Sequence, residues 1–321
     1  MKNKMIIAAC CLTCIVGYMT AQQGKGSYAS VSLHTGMASL GYSVKGLDGV
    51  DGTTSDKIGL GVSLRYNYYF SSHWGFGTGI GLSIYNSEAL LTGGMGDNNR
   101  YILGNYKDDD VSGLPGDFSL RARVENIREK QNIQFFEIPA TILYQTRFSY
   151  GKWGAYGSLG LKLQMPVVRR YEAASHAAGR LNVSGLYTDA TQGFEMGAPG
   201  MPALPQHGFG TLENPGKALN WKNSNTELNA GIAGTLEAGA ISRLNNESDF
   251  LIGVYIDYGF SDIKNHDKKR PLLAGPAGSY HPDANDNIGR GIVYNGLLNT
   301  AMTDKIIPVS FGVKIGLRFK L

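Results

Sequence analysis

"IGLGVSLRYNYYFSSHWGFGTGIGLSIYN" runs from Ile58 to Asn86 and decides how the rest of the chain is read. Bulky and small residues alternate through it with period two. Ile58, Leu60, Val62, Leu64, Tyr66, Tyr68 and Phe70 share one face of the first half, opposite Gly59, Gly61, Ser63, Arg65, Asn67 and Tyr69. After "SSH" the pattern resumes: Trp74, Phe76, Thr78, Ile80, Leu82 and Ile84 lie opposite Gly75, Gly77, Gly79, Gly81, Ser83 and Tyr85. Such alternation is the signature of β-strands with two unlike faces, and the short polar break makes the pair a hairpin.

The glycines invite a different reading, as a phosphate-cradling loop. A dinucleotide fingerprint needs Gly-x-Gly-x-x-Gly opening a helix. Here Ile80 stands where the third glycine, counted from Gly75, would fall. Glycine weakens a strand, so four on one face need a reason. The reason inferred from the sequence is space: a wall of Gly75, Gly77, Gly79 and Gly81 leaves interior room for long residues such as Arg65, Lys162 and Tyr255.

The same alternation recurs at 28–41, 134–147, 154–169, 226–241, 250–260 and 306–321, giving eight strands. Tight turns ("SSH", "SYGKW", "LNNES") alternate with long polar connections near 88–131, 170–224 and 262–304, and a moderate one at 42–56. Within these, 118–139 reads either as strand continuing well above the membrane or as a short helix near 120–130, and 193–210 as Gly/Pro/Met-rich loop. Short turns at one end and long loops at the other are the pattern of an outer-membrane barrel. The fold expected is all-β: an eight-stranded antiparallel up-and-down transmembrane β-barrel. Both termini then lie on the periplasmic side. A soluble barrel would also alternate, with its apolar face inward. Aromatics near the turns (Tyr66, Tyr68, Phe70, Trp74, Phe76, Tyr144, Phe148, Trp153) and charged residues on the opposite face favour the membrane form.

The ends and the composition agree with export. Lys2 and Lys4 precede an apolar run from Met5 to Val16, too short to span a bilayer. Residues 1–21 read as a signal peptide cleaved near Ala21, leaving 22–321 as the barrel. A lipoprotein reading, with Ile7-Ala8-Ala9-Cys10 as a lipobox, would shorten the apolar region to Met5–Ala9. Cys10, Cys11 and Cys14 all lie in the leader, so cleavage at Ala21 leaves no cysteine for disulfides, zinc or nucleophilic catalysis. Without Lys2 and Lys4 the chain has 28 basic against 26 acidic residues, with no basic run that marks a nucleic-acid binder.

The last eight residues, "KIGLRFKL", place Lys314, Gly316, Phe319 and Leu321 at the positions of a C-terminal barrel-assembly signal, with Leu321 in place of the usual final aromatic. Together with "YNYYFSSHWGFGTGIGLS" (66–83), "FFEIPATILYQ" (135–145) and "GLKLQMPV" (160–167), the chain resembles the small outer-membrane β-barrel family of Bacteroidota, PorT-like and OmpA-type eight-stranded barrels. The resemblance covers nearly all of 22–321. It implies residence in the outer membrane, contact with its lipid and lipopolysaccharide, and recognition by the barrel assembly machinery through the last strand. It also implies an accessory role in protein secretion as one alternative. Larger family members add a peptidoglycan-binding domain, and this chain ends on its eighth strand.

For chemistry, the inward faces predict a cluster of Arg65, Lys162, Lys314 and Arg318 with Glu137, Glu237 and Asp257. Charges away from bulk water must pair, so the cluster reads as a structural ion-pair plug or, alternatively, as a path for a small solute. Pairing partners need strand stagger, which the sequence does not give. His34 lies on a strand, with no motif placing a serine beside it; His176, His207, His266 and His281 lie in loops without ligand spacing. Lys107-Asp108-Asp109-Asp110 lacks the alternating oxygens of a calcium loop and reads as a solvated tip. Lys268-Lys269-Arg270 reads as a solvated basic tip, with lipopolysaccharide phosphates as an alternative contact. The expectation is a non-enzymatic membrane anchor presenting large loops for structural or binding roles, with an unidentified extracellular or periplasmic protein partner, and without cofactor, metal or nucleic acid.

Overall fold

The computed structural model describes residues 25–45, 50–93, 101–107, 117–146, 153–187, 194–198, 208–214, 221–223, 226–276, 288–289 and 291–321. The leader, Asp108 to Asp110, His207 and His281 lie outside them. In chain order the strands are β1 (Gly26–Ser39), β2 (Val50–Asp56), β3 (Ile58–Tyr69), β4 (Trp74–Gly93), β5 (Tyr101–Lys107), β6 (Asp117–Gln145), β7 (Trp153–Tyr187), β8 (Phe194–Met196), β9 (Gly210–Glu213), β10 (Lys222–Asn223), β11 (Gly231–Arg243), β12 (Ser248–Gly259), β13 (Leu273–Ala274), β14 (Val293–Tyr294) and β15 (Val309–Lys320). Among the described residues, a 3-10 turn, Leu297–Asn299, precedes the last of them.

Eight of these close a ring in the order β1, β3, β4, β6, β7, β11, β12, β15. Every neighbouring pair is antiparallel, and β1 against β15 closes the circle, from Tyr28 opposite Lys320 to Ser39 opposite Val309. The turns 70–73 and 244–247, and the strand ends Gly26 and Lys320, gather at one end, here the turn end. The other, distal end carries the extensions of β4, β6 and β7 and the short strands β2, β5, β8, β9, β10, β13 and β14.

The outside of the ring is apolar. Ile58, Leu60, Tyr66, Phe76, Leu82, Ile142, Leu159, Leu161, Ile256 and Val313 are all exposed, while Ser63, Asn67, Thr141, Lys162 and Thr235 on the opposite faces are buried. A soluble barrel would have these reversed. The steps from Ile58 to Phe70, at about 3.3 Å each and tilted about 40°, rise roughly 30 Å, the depth of a bilayer's hydrocarbon. Exposed aromatics rim both edges: Tyr68, Phe70, Trp74, Tyr144 and Trp153 at the turn end, Tyr258, Phe260 and Phe311 at the distal end. This is the surface of a membrane-spanning barrel.

The distal end departs from the expected loops. Residues 88–93, 117–131 and 170–187 are strand, and the moderate connection contains β2. The stretch 118–139 is continuous strand within β6, not helix. From Phe135 back to Asp117, β6 runs on for roughly 60 Å of chain beyond the belt. Against it β7 runs antiparallel to Tyr187, and β5, β8 and β9 flank the pair. The expected strand at 226–241 begins only at Gly231; Leu228, expected outward, is buried at the barrel mouth.

Two irregularities let these long strands change role. Val167 has no partner opposite Gln134 and Phe135, a bulge at Pro166 that reverses the facing of β7. Hence Lys162 and Gln164 point inward below it, and Tyr171 and Ala173 above it. A second break falls at Asn126, which adopts φ 49°, opposite 176–179. Below it Ile127, Ile133 and Phe135 are buried; above it Phe118, Leu120, Ala122 and Val124 are. Both sets join one apolar core with Leu181, Val183, Tyr187, Phe209, Leu272, Leu297 and Ile306. The distal end is thus a packed lobe, closed by the segments 261–276 and 291–308 folding back over the mouth.

The glycine wall has a more local cause than the sequence suggests. A Cβ on Gly79 would stand 2.1 Å from the Leu64 carbonyl oxygen, and one on Gly77 2.7 Å from Asn67 Oδ1 and 2.9 Å from Thr141 Oγ1. The space is taken by the backbone of β3 and by Asn67 and Thr141, rather than by Lys162 and Tyr255. At Gly81 the nearest atom would be 3.3 Å away. Gly79→Ala is therefore expected to destabilise the barrel by about 1–3 kcal/mol, while Gly81→Ala stays close to the parent. Urea unfolding in detergent micelles measures both; equal losses would refute the account.

Candidate functional site

The interior holds the charges. β3 supplies Arg65, β6 Glu137, β7 Lys162, β11 Glu237, β12 Asp257, and β15 Lys314 and Arg318, all buried. Six of the seven predicted residues meet in the middle of the barrel. Arg65 Nη2 lies 2.5 Å from Glu237 Oε1, and Lys314 Nζ donates to both Glu237 oxygens at 2.9 Å. Lys162 Nζ bridges Asp257 at 2.7 Å and Glu137 at 3.1 Å. Gln164 Nε2 links Glu137 (3.0 Å) to the Tyr85 hydroxyl (3.1 Å), and that hydroxyl donates to Ser310 Oγ.

Arg318 stands apart. Its Nε and Nη2 donate to Asp249 Oδ2 at 3.0 and 2.8 Å, and its Nη1 to Gln145 Oε1 at 2.9 Å. The guanidinium lies over the Tyr28 ring at 4.5 Å. Asp249 was missed by the sequence reading, although the signal existed. It faces Arg318 directly across β12 and β15, and the inward phase of Gly253, Tyr255 and Asp257 continues to it. With Asp249 included, four cations oppose four carboxylates.

Two small voids adjoin the charges. A void of about 10 Å³ lies among His34, Arg65, Glu137 and Lys162, and one of about 40 Å³ among Asn67, Tyr156, Ser158 and Arg318. Those volumes hold single waters, not a continuous path. His34 does have a serine neighbour: its Nε2 is 3.1 Å from Ser83 Oγ. The contact crosses Gly61, where a Cβ would stand 2.0 Å from that nitrogen. No carboxylate hydrogen-bonds the ring among the described residues, and the adjoining void has no room for a substrate, so the pair lacks the parts of a nucleophile–base site.

Above Tyr85, which meets Phe135 edge-on at 5.0 Å, the interior turns apolar around one buried acid. Glu129 accepts from Tyr294 Oη at 2.5 Å, the Leu297 amide at 2.8 Å and Gln131 Nε2 at 2.7 Å. Tyr42 Oη donates to Gln131 at 2.7 Å, and Tyr171 Oη to the Tyr294 carbonyl. Trp221 stacks on Tyr294. No lysine or arginine pairs with Glu129 among the described residues. Burial pushes its carboxyl above the usual range, and the three hydrogen bonds lower it only in part.

The remaining predicted positions are placed as follows. Gly75, Gly77 and Gly81 are buried on the inner wall, and Gly79 is half-buried there. Gly316 faces inward, while Phe319 and Leu321 are exposed at the turn end, where the Leu321 amide bonds the Ser27 carbonyl. Lys268 and Arg270 both pair with Glu227, at 3.2 and 2.7 Å. His266 meets Asp262, and His176 meets Arg128. No group of three metal-ligating side chains forms among the described residues.

Glu237→Ala strands Arg65 and Lys314 and is expected to cost about 3–5 kcal/mol, whereas Arg65→Met, Glu237→Met and Lys314→Met combined cost less than that single change. Urea midpoints in lipid vesicles decide; a triple variant weaker than Glu237→Ala would refute it. For Glu129, the folded carboxyl binds its proton more tightly than the unfolded one, near 4.5. The lobe therefore gains stability from this group as pH falls through the raised value, and the gain levels off below about 4.5. Urea unfolding followed by Trp221 fluorescence, with Trp74→Phe and Trp153→Phe in the background, should show this gain in the parent and not in Glu129→Gln.

No family model and no curated protein matches the chain. Among solved structures it is similar to the outer membrane protein OprG from Pseudomonas aeruginosa, at 12% identity over 94% of this chain and 100% of that one, TM-score 0.35. It is similar to Neisserial surface protein A at 9% identity over 92% and 96% of the two chains, TM-score 0.32. It is also similar to the outer membrane protein AlkL, solved in lipid bilayers, at 12% identity over 95% and 96%, TM-score 0.33. At these levels the eight-stranded ring and its apolar belt stand on the chain's own geometry.

Proposed function

We propose that the chain is an outer-membrane β-barrel that anchors a rigid binding platform at the cell surface and carries out no catalysis. In this reading residues 1–21 are removed as a signal peptide, both termini of the barrel face the periplasm, and the distal lobe faces outward. Lys314, Gly316, Phe319 and Leu321 then serve assembly of the barrel into the membrane. The observation that carries the proposal is the contrast between the two halves. The lumen is filled by paired charges around voids of about 10 and 40 Å³, whereas the lobe has its own apolar core and extends well beyond the bilayer. A chain selected for passage would keep its interior open; this one invests its length in the lobe. In place of large surface loops the lobe offers a preorganised surface, which binds a partner with less ordering cost.

Planar-bilayer recording of the reconstituted protein tests the reading, with no stable conductance steps expected. Steps that disappear in Arg65→Ala or Glu137→Ala would instead establish a solute channel. Protease treatment of intact cells is expected to cleave within the distal lobe and to spare the turns at 70–73 and 244–247. Cleavage at the turns alone would reverse the orientation.

A further inference from the structure

Just beyond the apolar belt, the outer face of β4, β6 and β7 changes from aliphatic to basic. Strand pairing sets two rows there. Asn86, Asn132 and Arg170 form the first, and Glu88, Lys130, Glu172 and Lys222 the second. Lys57 joins from the β2–β3 connection. Together they line an open groove of about 830 Å³.

The groove has more positive than negative charge to offer. Glu88 is already engaged by Lys57 at 3.5 Å and Arg128 at 3.3 Å, and Glu172 by Lys222 at 2.8 Å. Lys130 and Arg170 are exposed, sit on adjacent strands in successive rows, and have no carboxylate partner among the described residues. Their depth is set by their neighbours. Ile58 follows Lys57 directly and is 73% exposed; Val167 lies three residues from Arg170 and is 55% exposed. A ligand of these cations therefore has aliphatic surface immediately beneath it.

We propose that this groove binds the phosphorylated headgroup of a lipid in the leaflet around the distal end, with Lys130 and Arg170 as its phosphate ligands. A lipid alone supplies both parts that the site calls for: acyl chains for the belt at Ile58 and Val167, and an anion for the cations above. The guanidinium fork of Arg170 suits two phosphate oxygens, and the Lys130 ammonium adds a compact charge beside it. Basic side chains at this depth are drawn to anionic headgroups. The inference rests on the membrane-spanning reading of the barrel.

The test uses the full chain in phosphatidylcholine vesicles doped with phosphatidic acid or, as the phosphate-free control, diacylglycerol. Lipid retained by the protein after extraction is counted by native mass spectrometry. Phosphatidic acid should be retained over diacylglycerol, and Lys130→Gln with Arg170→Gln should weaken its binding about tenfold. Lys269→Gln, on another distal tip, should leave it unchanged. Equal retention of diacylglycerol, or an unaltered double variant, overturns the proposal. So does full competition by inorganic phosphate at matched concentration, which would make the groove a free-anion site. Insertion is scored separately by protease protection of the barrel: a chain that fails to insert sinks the membrane reading itself, while an inserted chain without lipid preference sinks only the groove.

Discussion

Eight strands closed into a ring leave an interior that side chains must fill, and in this chain the side chains that fill it are charged. Because the outside faces lipid, neither surface of the wall can take a stray ion. The charges have to neutralise one another across the lumen, and they do so in layers. Asp249 and Arg318 close the turn end, Glu237 holds two cations in the middle, and Lys162 holds two carboxylates beside it. Six strands of the ring, β3, β6, β7, β11, β12 and β15, are committed to their register by these contacts, since a slip of one residue would turn a charge into lipid. A lumen lined by mutually neutralised charges follows.

The lobe above obeys a different rule. There the inward face is largely apolar, and one acid, Glu129, organises a central polar network. Its hydrogen bonds reach the closing segment through Tyr294 and Leu297, and the β1 extension through Gln131 and Tyr42. Lys264 performs a related service at the barrel mouth, where its ammonium donates to the Thr300 and Thr303 carbonyls. The closing segment is therefore held by specific donors and acceptors as well as by Leu297, Leu298 and Met302 in the core. Lobe and barrel share the strands β4, β6 and β7, so a load on the surface is carried directly into the membrane-held ring.

The ring was legible because its signal is local: period two, sustained for ten or more residues, with turns between. Inside and outside could be assigned from that alone. What the sequence could not give was contact across strands. His34 reaches Ser83 over a glycine on the strand between them, and Arg318 finds Asp249 one residue outside the alternating run 250–260. The lobe was harder for a physical reason. Apolar residues fall at 118, 120, 122 and 124, then at 127, a spacing of three that imitates a helix. The cause is Asn126, whose left-handed backbone shifts the phase without ending the strand.

That shift has a consequence for how such a chain can change. Between Asn126 and the bulge at Val167, β6 and β7 are locked face to face, charge below and hydrocarbon above. Adding or removing one residue from either strand alone would bring the apolar core of the lobe to water and its polar skin inside. Length can vary only in matched pairs, or by creating another break of the same kind. The reach of the platform above the membrane is in that sense quantised: it grows by whole two-residue steps of a hairpin, and the two irregular residues mark where one geometry has been spliced onto another.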